Sequence, residues 1–578
     1  MSGYYLYLPA AFIYHDLRDV AFLDDIIARY RPTASPYQVF DHESGARVMK
    51  YSLGQAVMYS PFFAVAHAWA SADPRYPPDG FSLPYQFMIS LGSLVVCFLG
   101  LYWLAAFLRY YFGDRAVALT VVLVALGTNY LNYTAIDGAM THNNVFTLYA
   151  LLLLTSHRFY RRPTWGRAAL IGACVGLMAL TRPTEIIAAL IPLLWGLDLT
   201  KTGSVPARLA FFGRHAGKLG LAAVITLAIG SLQLLYWKYV SGDWLVYSYQ
   251  DQGFDWLSPH LNKGFFSYKA GWLIYTPLMV FALAGFWPLR RRPGVLLPAL
   301  VHAVVFIYVA FSWSVWWYGG SLGQRTMVQA YAVLALPFAA FVEWCFGLYR
   351  ADDNGARTQV QGKGQRPWWR YVVAAVMALF VWHSLYFTHQ AHVGRLYLTE
   401  QMNAAYFWRI LYKFERDPED QLRLDTPEFF PGEPTERRTL LTRGFDDLPT
   451  DACGMDPITG TGAVCLIGQQ QSSPKVYAPL DLAPGHWVRA RVNAKVNAYR
   501  GNRHNYAQMV IAFRRDGAEV KRRLIRMNRV LNADWRRSLH IDSRVPDGGA
   551  DEVVVWFWNG GNTQPALIVD DLVIEALR

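Results

Sequence analysis

The sequence predicts a polytopic α-helical membrane protein with an external all-β sandwich domain at its C-terminal end. Three observations lead there. Hydrophobic residues make up 53% of the chain and charged residues only 17%, whereas soluble domains carry about 25% charged. Between residues 83 and 390 the apolar residues gather into long runs, several reaching the ~18–20 residues that cross a bilayer. From about residue 441 the pattern changes to short alternating runs bounded by Gly, Pro, Asn and Asp, the signature of strands and tight turns.

Charge and cysteine use narrow the class further. The net charge of +12 comes largely from Lys and Arg in short loops between apolar runs, which the positive-inside rule explains without a nucleic-acid partner. Membrane lipids are the expected surroundings. Cys97, Cys174 and Cys345 sit inside apolar runs as small packing residues. Cys453 and Cys465 share a Gly-rich polar segment and can pair if that segment lies outside.

Taken in order, residues 1–82 read as an external loop with interfacial helices. Residues 3–31 are amphipathic, and the run 51–70 is broken by Pro61 and His67, which favours an interfacial or re-entrant segment over a span. No basic leader followed by an apolar core precedes Gly3. Spans are expected at 83–108, 115–134, 142–157, 218–239, 271–289, 294–313, 324–347 and 371–389, within a helical bundle over 83–390. The run 168–198 is too long for one span and is interrupted by Thr181-Arg182-Pro183-Thr184-Glu185, so it is expected to go in and come back. Loops carrying Arg158 to Arg167, Lys201 to Lys218, Arg290 to Arg292 and Arg350 to Arg370 are then cytoplasmic. Residues 391–440 read as a charged connector, and 441–578 as a jelly-roll-like sandwich with strands near 487–496, 507–515, 520–526, 537–541, 552–558 and 566–574.

Four groups of residues have the chemistry for a site. The acidic set that includes Asp16 and Asp19 offers a base for an acceptor proton, though carboxylates on an interfacial helix also occur simply as solvated groups. Asp137 and His142 flank a span entrance. They can orient a substrate or hold a divalent metal, or the segment can be a capped helix start with Thr141 as N-cap. Arg182, beside Glu185 at the break, is placed either as a phosphate clamp or as half of an ion pair. The stretch Trp313-Ser314-Val315-Trp316-Trp317-Tyr318-Gly319-Gly320 leads directly into Arg325. Its tryptophans suit a membrane interface, its glycines allow close backbone approach, and Arg325 sits at the level of a lipid phosphate. Lys50 is a further phosphate contact. No nucleotide loop, dinucleotide fingerprint or zinc spacing is present, and the cofactor is left open.

Gly3-Tyr4-Tyr5-Leu6-Tyr7-Leu8-Pro9, Lys50-Tyr51, Met140-Thr141-His142, Leu180-Thr181-Arg182-Pro183-Thr184 and Trp317-Tyr318-Gly319-Gly320-Ser321-Leu322-Gly323-Gln324-Arg325 together resemble bacterial membrane glycosyltransferases of the C superfamily (GT-C). Those proteins include the protein O-mannosyltransferases and the lipid A aminoarabinose transferases. The resemblance spans about residues 1–390 and implies a GT-C-like bundle with a polyprenyl-phosphate sugar donor. It also implies inverting transfer on the external face of the bacterial inner membrane, with the C-terminal domain periplasmic. It carries the donor-phosphate role to Lys50, Arg182 and Arg325, and an assisting role to His142 or Asp137. The C-terminal part resembles a galactose-binding-like module, with Asp570-Asp571-Leu572-Val573-Ile574 as its closing strand. One departure stands out. The family's first helix and its catalytic Asp would precede Gly3: either they lie upstream of Met1, or they are lost, and then Asp16 or Asp19 acts as the base or the protein is inactive.

The expected function is therefore transfer of a sugar from a lipid-linked donor to a glycan, lipid or protein acceptor of the envelope. A non-catalytic glycan transporter or envelope-assembly scaffold is the alternative. A single broken run, where transporters pair two, speaks against transport.

Overall fold

A chain in lipid must satisfy its own backbone polar groups, so long apolar runs become helices. The computed structural model describes residues 2–31, 38–249, 251–349, 367–468, 470–497, 506–531, 537–559 and 566–578. These fall into two compact units, Met1–Glu400 and Gln401–Arg578. Among the described residues, the helices Leu83–Leu108, Ala216–Ser241, Pro293–Ser312, Met327–Phe346 and Trp369–Gly394 are long and apolar enough to cross a membrane. Met327–Phe346 is the central one, buried along nearly its whole length. Ala216–Ser241 lies at the periphery and buries only Gln233, Tyr236, Val240 and Ser241.

Small residues set the closest helix contacts, as expected where packing rather than water drives association. Gly172 and Gly176, four apart on the helix Trp165–Thr181, lie against Ala222 and Thr226 of Ala216–Ser241. A Cβ at Gly172 would fall 2.3 Å from the Ala222 carbonyl oxygen.

The long run 168–198 does go in and come back. Arg167 Nη1 donates to Arg158 O at one end of the neighbouring helix Thr141–Arg161. At the other end of the run's first helix, Arg182 reaches His142, at the start of that same neighbour. The chain then turns through Pro183–Ala189 and Leu190–Leu194 until Trp195 meets His157 edge-on, their ring centroids 6.3 Å apart. His142 and His157 are fifteen residues apart on one helix, roughly 22 Å at 1.5 Å per residue. The run therefore climbs that distance and descends it again.

Two expected spans are not continuous. The run 115–134 forms the helix Asp114–Leu126 and stops at Gly127. Beyond it Thr128 bonds back to Val124 O, and Asn129 donates to Leu322 O and Gln324 O, followed by a π turn at Asn132–Ile136. The run 271–289 divides into Trp272–Tyr275, Met279–Ala284 and Phe286–Leu289. Pro277 lacks the amide that would join the first two, and at Gly285 the backbone meets the Pro337 carbonyl so closely that a Cβ would fall 1.8 Å from its oxygen.

The N-terminal 82 residues form short helices at Ser2–Tyr5, Tyr7–Phe12 and Leu23–Tyr30, a hairpin pairing Val39–Asp41 with Arg47–Met49, and the helix Gly54–Ala72. Pro61 does not break that last helix. The Val57 carbonyl, which Pro61 leaves without its amide partner, takes the Ser60 hydroxyl at 2.8 Å.

The stretch 391–440 is shared between the two units. Its first ten residues complete the bundle unit, and the rest belongs to the second unit. There Leu422 joins the sandwich core, and Asp425 is fully buried between Arg526 and Arg529. The sandwich itself has two antiparallel sheets. One runs Val476–Pro479, Glu552–Trp558, Gln508–Arg515, Ala518–Arg526. The other runs Arg437–Arg443, Leu567–Leu577, Trp487–Val496, Arg537–Arg544, with Val464–Leu466 also on Leu567–Leu577. Alternate residues of both sheets, such as Ile511, Phe513, Val553 and Val488, Ala490, Ile541, share one core. Three strands escape a sequence reading, Arg437–Arg443, Val464–Leu466 and Val476–Pro479: the last two have only three and four residues, and the first presents mostly exposed side chains. Cys453 and Cys465 form a disulfide, with Cα atoms 5.9 Å apart.

Candidate functional site

The bundle unit encloses a cavity of about 710 Å³. Lys50, Arg182, Arg325 and His142 all line it, together with Tyr4, Tyr249, Trp313 and Tyr318. Residues from four separate parts of the chain converge there, each held by an identifiable device.

Lys50 follows the hairpin strand Arg47–Met49. Its backbone donates to Gln38 O, while the flanking amides of Met49 and Leu53 are taken by Tyr236 Oη and Gln233 Oε1 of the helix Ala216–Ser241. The ammonium lies 5.7 Å from the Tyr249 ring centroid. Tyr4 stacks on Tyr51 at 4.3 Å, and Tyr7 donates to Tyr51 O, so the opening Gly-Tyr-Tyr stretch is the wall on this side.

Arg182 caps the C-terminus of Trp165–Thr181 in extended conformation. Helix Gly54–Ala72 touches this turn directly, since a Cβ on Gly54 would lie 2.4 Å from Thr181 N. The guanidinium donates through Nη2 to Thr326 Oγ1 at 3.2 Å, approaches His142 Nδ1 at 3.3 Å through Nη1, and lies over the Tyr318 ring. It forms no ion pair with Glu185, contrary to the alternative its sequence position suggested. Glu185 instead accepts from Tyr149 and Gln329.

Arg325 ends a loop whose backbone is pinned from several sides. Tyr133 Oη accepts from Leu322 N at 2.8 Å, Tyr397 donates to Ser321 O, and Gln324 donates to Trp316 O. Tyr318, Gly319 and Gly320 follow one another in left-handed backbone, at φ 55°, 49° and 56°. Glycine adopts this freely, and a tyrosine there costs about 1–2 kcal/mol. Its hydroxyl donates to Ala310 O at 2.6 Å and holds it in place. Arg325 Nε is buried without a partner.

Electrostatics follow from these placements. Among the described residues, Lys50, Arg182 and Arg325 have no carboxylate within ion-pair distance, although acidic residues elsewhere in the chain are paired freely. Desolvated cations without counter-ions are costly, so the cavity is built for an anion. Phosphate suits it, because guanidinium forks bind its oxygens in pairs.

The remaining expected site residues lie elsewhere. Asp16 accepts the amides of Asp19 and Ala21 and caps a loop. Burial acts to raise its pKa, but these backbone N–H groups outweigh burial and hold it below the ordinary carboxylate range. Neither Asp16 nor Asp19 lines the cavity. Asp137 accepts from Asn132 and faces His392 at 3.8 Å, also outside the lining. His142, by contrast, lines the cavity and meets Arg182 there. Asp137 and His142 are thus not brought to one wall of the cavity, and among the described residues no group of three or more His, Cys, Asp or Glu is gathered to hold a metal.

Glu185 is the cavity-lining carboxylate that reasoning on sequence treated only as an Arg partner. Its polar company (Gln329, Tyr149 and His302) comes from three other helices, and nothing in sequence spacing links them.

No protein-family model matches the chain, and no curated protein matches it. Among solved structures it is similar to the cryo-EM structure of arabinosyltransferase EmbB from Mycobacterium smegmatis, at 13% identity and a TM-score of 0.34, over 84% of this chain. The chain spans 57% of the length of that structure. A family 16 carbohydrate-binding module aligns with 20% of this chain and 78% of its own, at 16% identity and a TM-score of 0.15.

Proposed function

We propose that the bundle transfers a sugar from a polyprenyl-phosphate-linked donor to an acceptor hydroxyl of the envelope, a glycan, lipid or protein, on the external face of the membrane. The observation that carries this reading is the convergence of Lys50, Arg182 and Arg325 on one aromatic-walled cavity, with none of the three in an ion pair among the described residues. The three cations hold the donor phosphate and stabilise the charge that grows on it as the sugar leaves. The flat rings of Tyr4, Tyr249, Trp313 and Tyr318 give apolar faces for a sugar. His142 lines the same cavity, and its Nε2 has no partner among the described residues.

In the transfer step the acceptor oxygen bonds to the anomeric carbon as the carbon–oxygen bond to phosphate breaks. The electron pair of that bond remains on the phosphate, and the acceptor proton passes to His142 Nε2. Polyprenyl phosphate is the leaving group. The second unit, with its separate core, is proposed as a glycan-contacting module of the same protein.

Membranes containing the protein, supplied with a broad pool of labelled polyprenyl-phosphate sugars, are expected to move label to an acceptor. The Arg325→Ala variant is expected to lose the transfer. Silence of the wild type across the whole pool overturns the transferase reading in favour of a scaffold.

A further inference from the structure

The polar side chains behind the cavity form a single file. Gln329 Nε2 donates to Glu185 Oε1, the Tyr149 hydroxyl donates to Glu185 Oε2 at 2.6 Å, and His302 Nε2 lies 3.0 Å from that hydroxyl. All are buried. At the cavity end, Gln329 presents Oε1 to His142 Nδ1 at 3.0 Å, while Arg182 Nη1 approaches the same nitrogen at 3.3 Å.

These two contacts exclude each other. A ring nitrogen either carries a hydrogen and donates, or is bare and accepts. Arg182 has only hydrogens to offer, so its contact needs a bare Nδ1 and places the ring hydrogen on Nε2. The contact with Gln329 Oε1 needs the hydrogen on Nδ1 and leaves Nε2 bare. With Glu185 ionised, Gln329 keeps this orientation and does not turn to serve as a donor. Its amide nitrogen is held by the Glu185 carboxylate, which accepts from both Gln329 and Tyr149.

From this geometry we infer that binding of the donor phosphate switches the tautomer of His142, with Gln329 and Glu185 as positioning residues. The inference rests on the phosphate-binding reading above. A phosphate oxygen at Arg182 draws Nη1 away from the ring, because a charge-assisted bond outweighs a long one to a neutral nitrogen. Nε2 gives its hydrogen to water in the cavity, and Nδ1, released by Arg182, takes one from the same water and donates a hydrogen bond to Gln329 Oε1, so that one proton leaves the ring and one enters it. The ring charge does not change. Nε2 becomes the acceptor that the incoming hydroxyl needs, and only in a site that already holds donor. An empty cavity keeps Nε2 hydrogen-bearing and inert toward proton abstraction.

Nitrogen NMR of the full-length, histidine-labelled protein in detergent tests this, with the His142→Gln spectrum assigning the signal. Polyprenyl phosphate and inorganic phosphate are the probes. Without a probe, His142 is expected to show the Nε2–H tautomer, and saturation with polyprenyl phosphate is expected to convert it to Nδ1–H. Conversion by both probes makes the phosphate group sufficient, and conversion by the lipid alone names the lipid-linked source. The Glu185→Gln variant is expected to bind the probe with little change but to stay in the Nε2–H form, since the introduced amide frees Gln329 to turn. Its transfer rate is expected to fall roughly 10²-fold, the low end for loss of a general base, with KM unchanged. Binding to the wild type without a change of tautomer overturns this inference alone. Absence of binding overturns the phosphate reading and this inference with it. The wild-type titration decides even if the variant fails to fold.

Discussion

At the scale of single residues, Arg325 and Arg182 differ in what they already have. Arg182 is half engaged, bonding Thr326 and touching His142. Arg325 has a buried Nε with no partner at all. A charged hydrogen bond contributes about 1.5–3 kcal/mol, which is roughly 10- to 150-fold in affinity. Arg325→Ala is therefore expected to weaken polyprenyl-phosphate binding by about that factor, read by titration in detergent. Arg182→Lys keeps the charge and loses the fork, so it is expected to weaken binding less and transfer more. Equal affinities for Arg325→Ala and the wild type would remove Arg325 from the phosphate site.

At the scale of elements, the site depends on how closely two helices meet. Helix Gly54–Ala72 carries Gly54 against the Thr181 backbone, one residue before Arg182. Gly54→Ala pushes a methyl group into that turn, and overpacking of this kind costs about 1–3 kcal/mol. It is expected to lower the melting temperature and to weaken phosphate binding together. Gly220→Ala is the contrasting case, with open space around the new carbon, and is expected to leave binding intact and to stabilise by about 0.5–1 kcal/mol, the usual helix gain. These close contacts explain which parts of the fold were legible in the sequence. Composition reports solubility in lipid, so the runs ending near Leu108, Ser241 and Ser312 could be read directly. It does not report that Asn129 leaves a helix to serve the carbonyls of the Arg325 loop, nor that Pro277 divides an apolar run. The strands Trp487–Val496 and Glu552–Trp558 were legible because alternation marks their core-facing side chains. For the site, Lys50, Arg182 and Arg325 were visible as cations in special surroundings. The file from Glu185 to His302 was not, because its members meet only through tertiary packing.

At the scale of the whole molecule, the returning run fixes how the bundle's loops are shared between two sides. Arg182 and the cavity stand level with His142, and Trp195 and the basic loops stand level with His157, about 22 Å away along one helix. The loop after Ser241 contributes Tyr249 and Phe254 to the cavity wall, so it belongs to the first level. The turn after Leu194 belongs to the second, where Arg208 caps Trp195 O. On the positive-inside rule we propose that the second level faces the cytoplasm. Single cysteines test the assignment with little background, since Cys97, Cys174 and Cys345 are buried and Cys453 and Cys465 are bonded. Ser258 and Thr202 are exposed on the two loops. In intact cells a membrane-impermeant maleimide is expected to label Ser258→Cys and to spare Thr202→Cys until the membrane is opened. Labelling of both from outside would mean that Ala216–Ser241, the helix between the two loops, does not cross the membrane, and the division of the loops between two sides would fail. The reverse pattern would turn the whole bundle over and put phosphate binding on the cytoplasmic face, where transfer to an external acceptor is impossible.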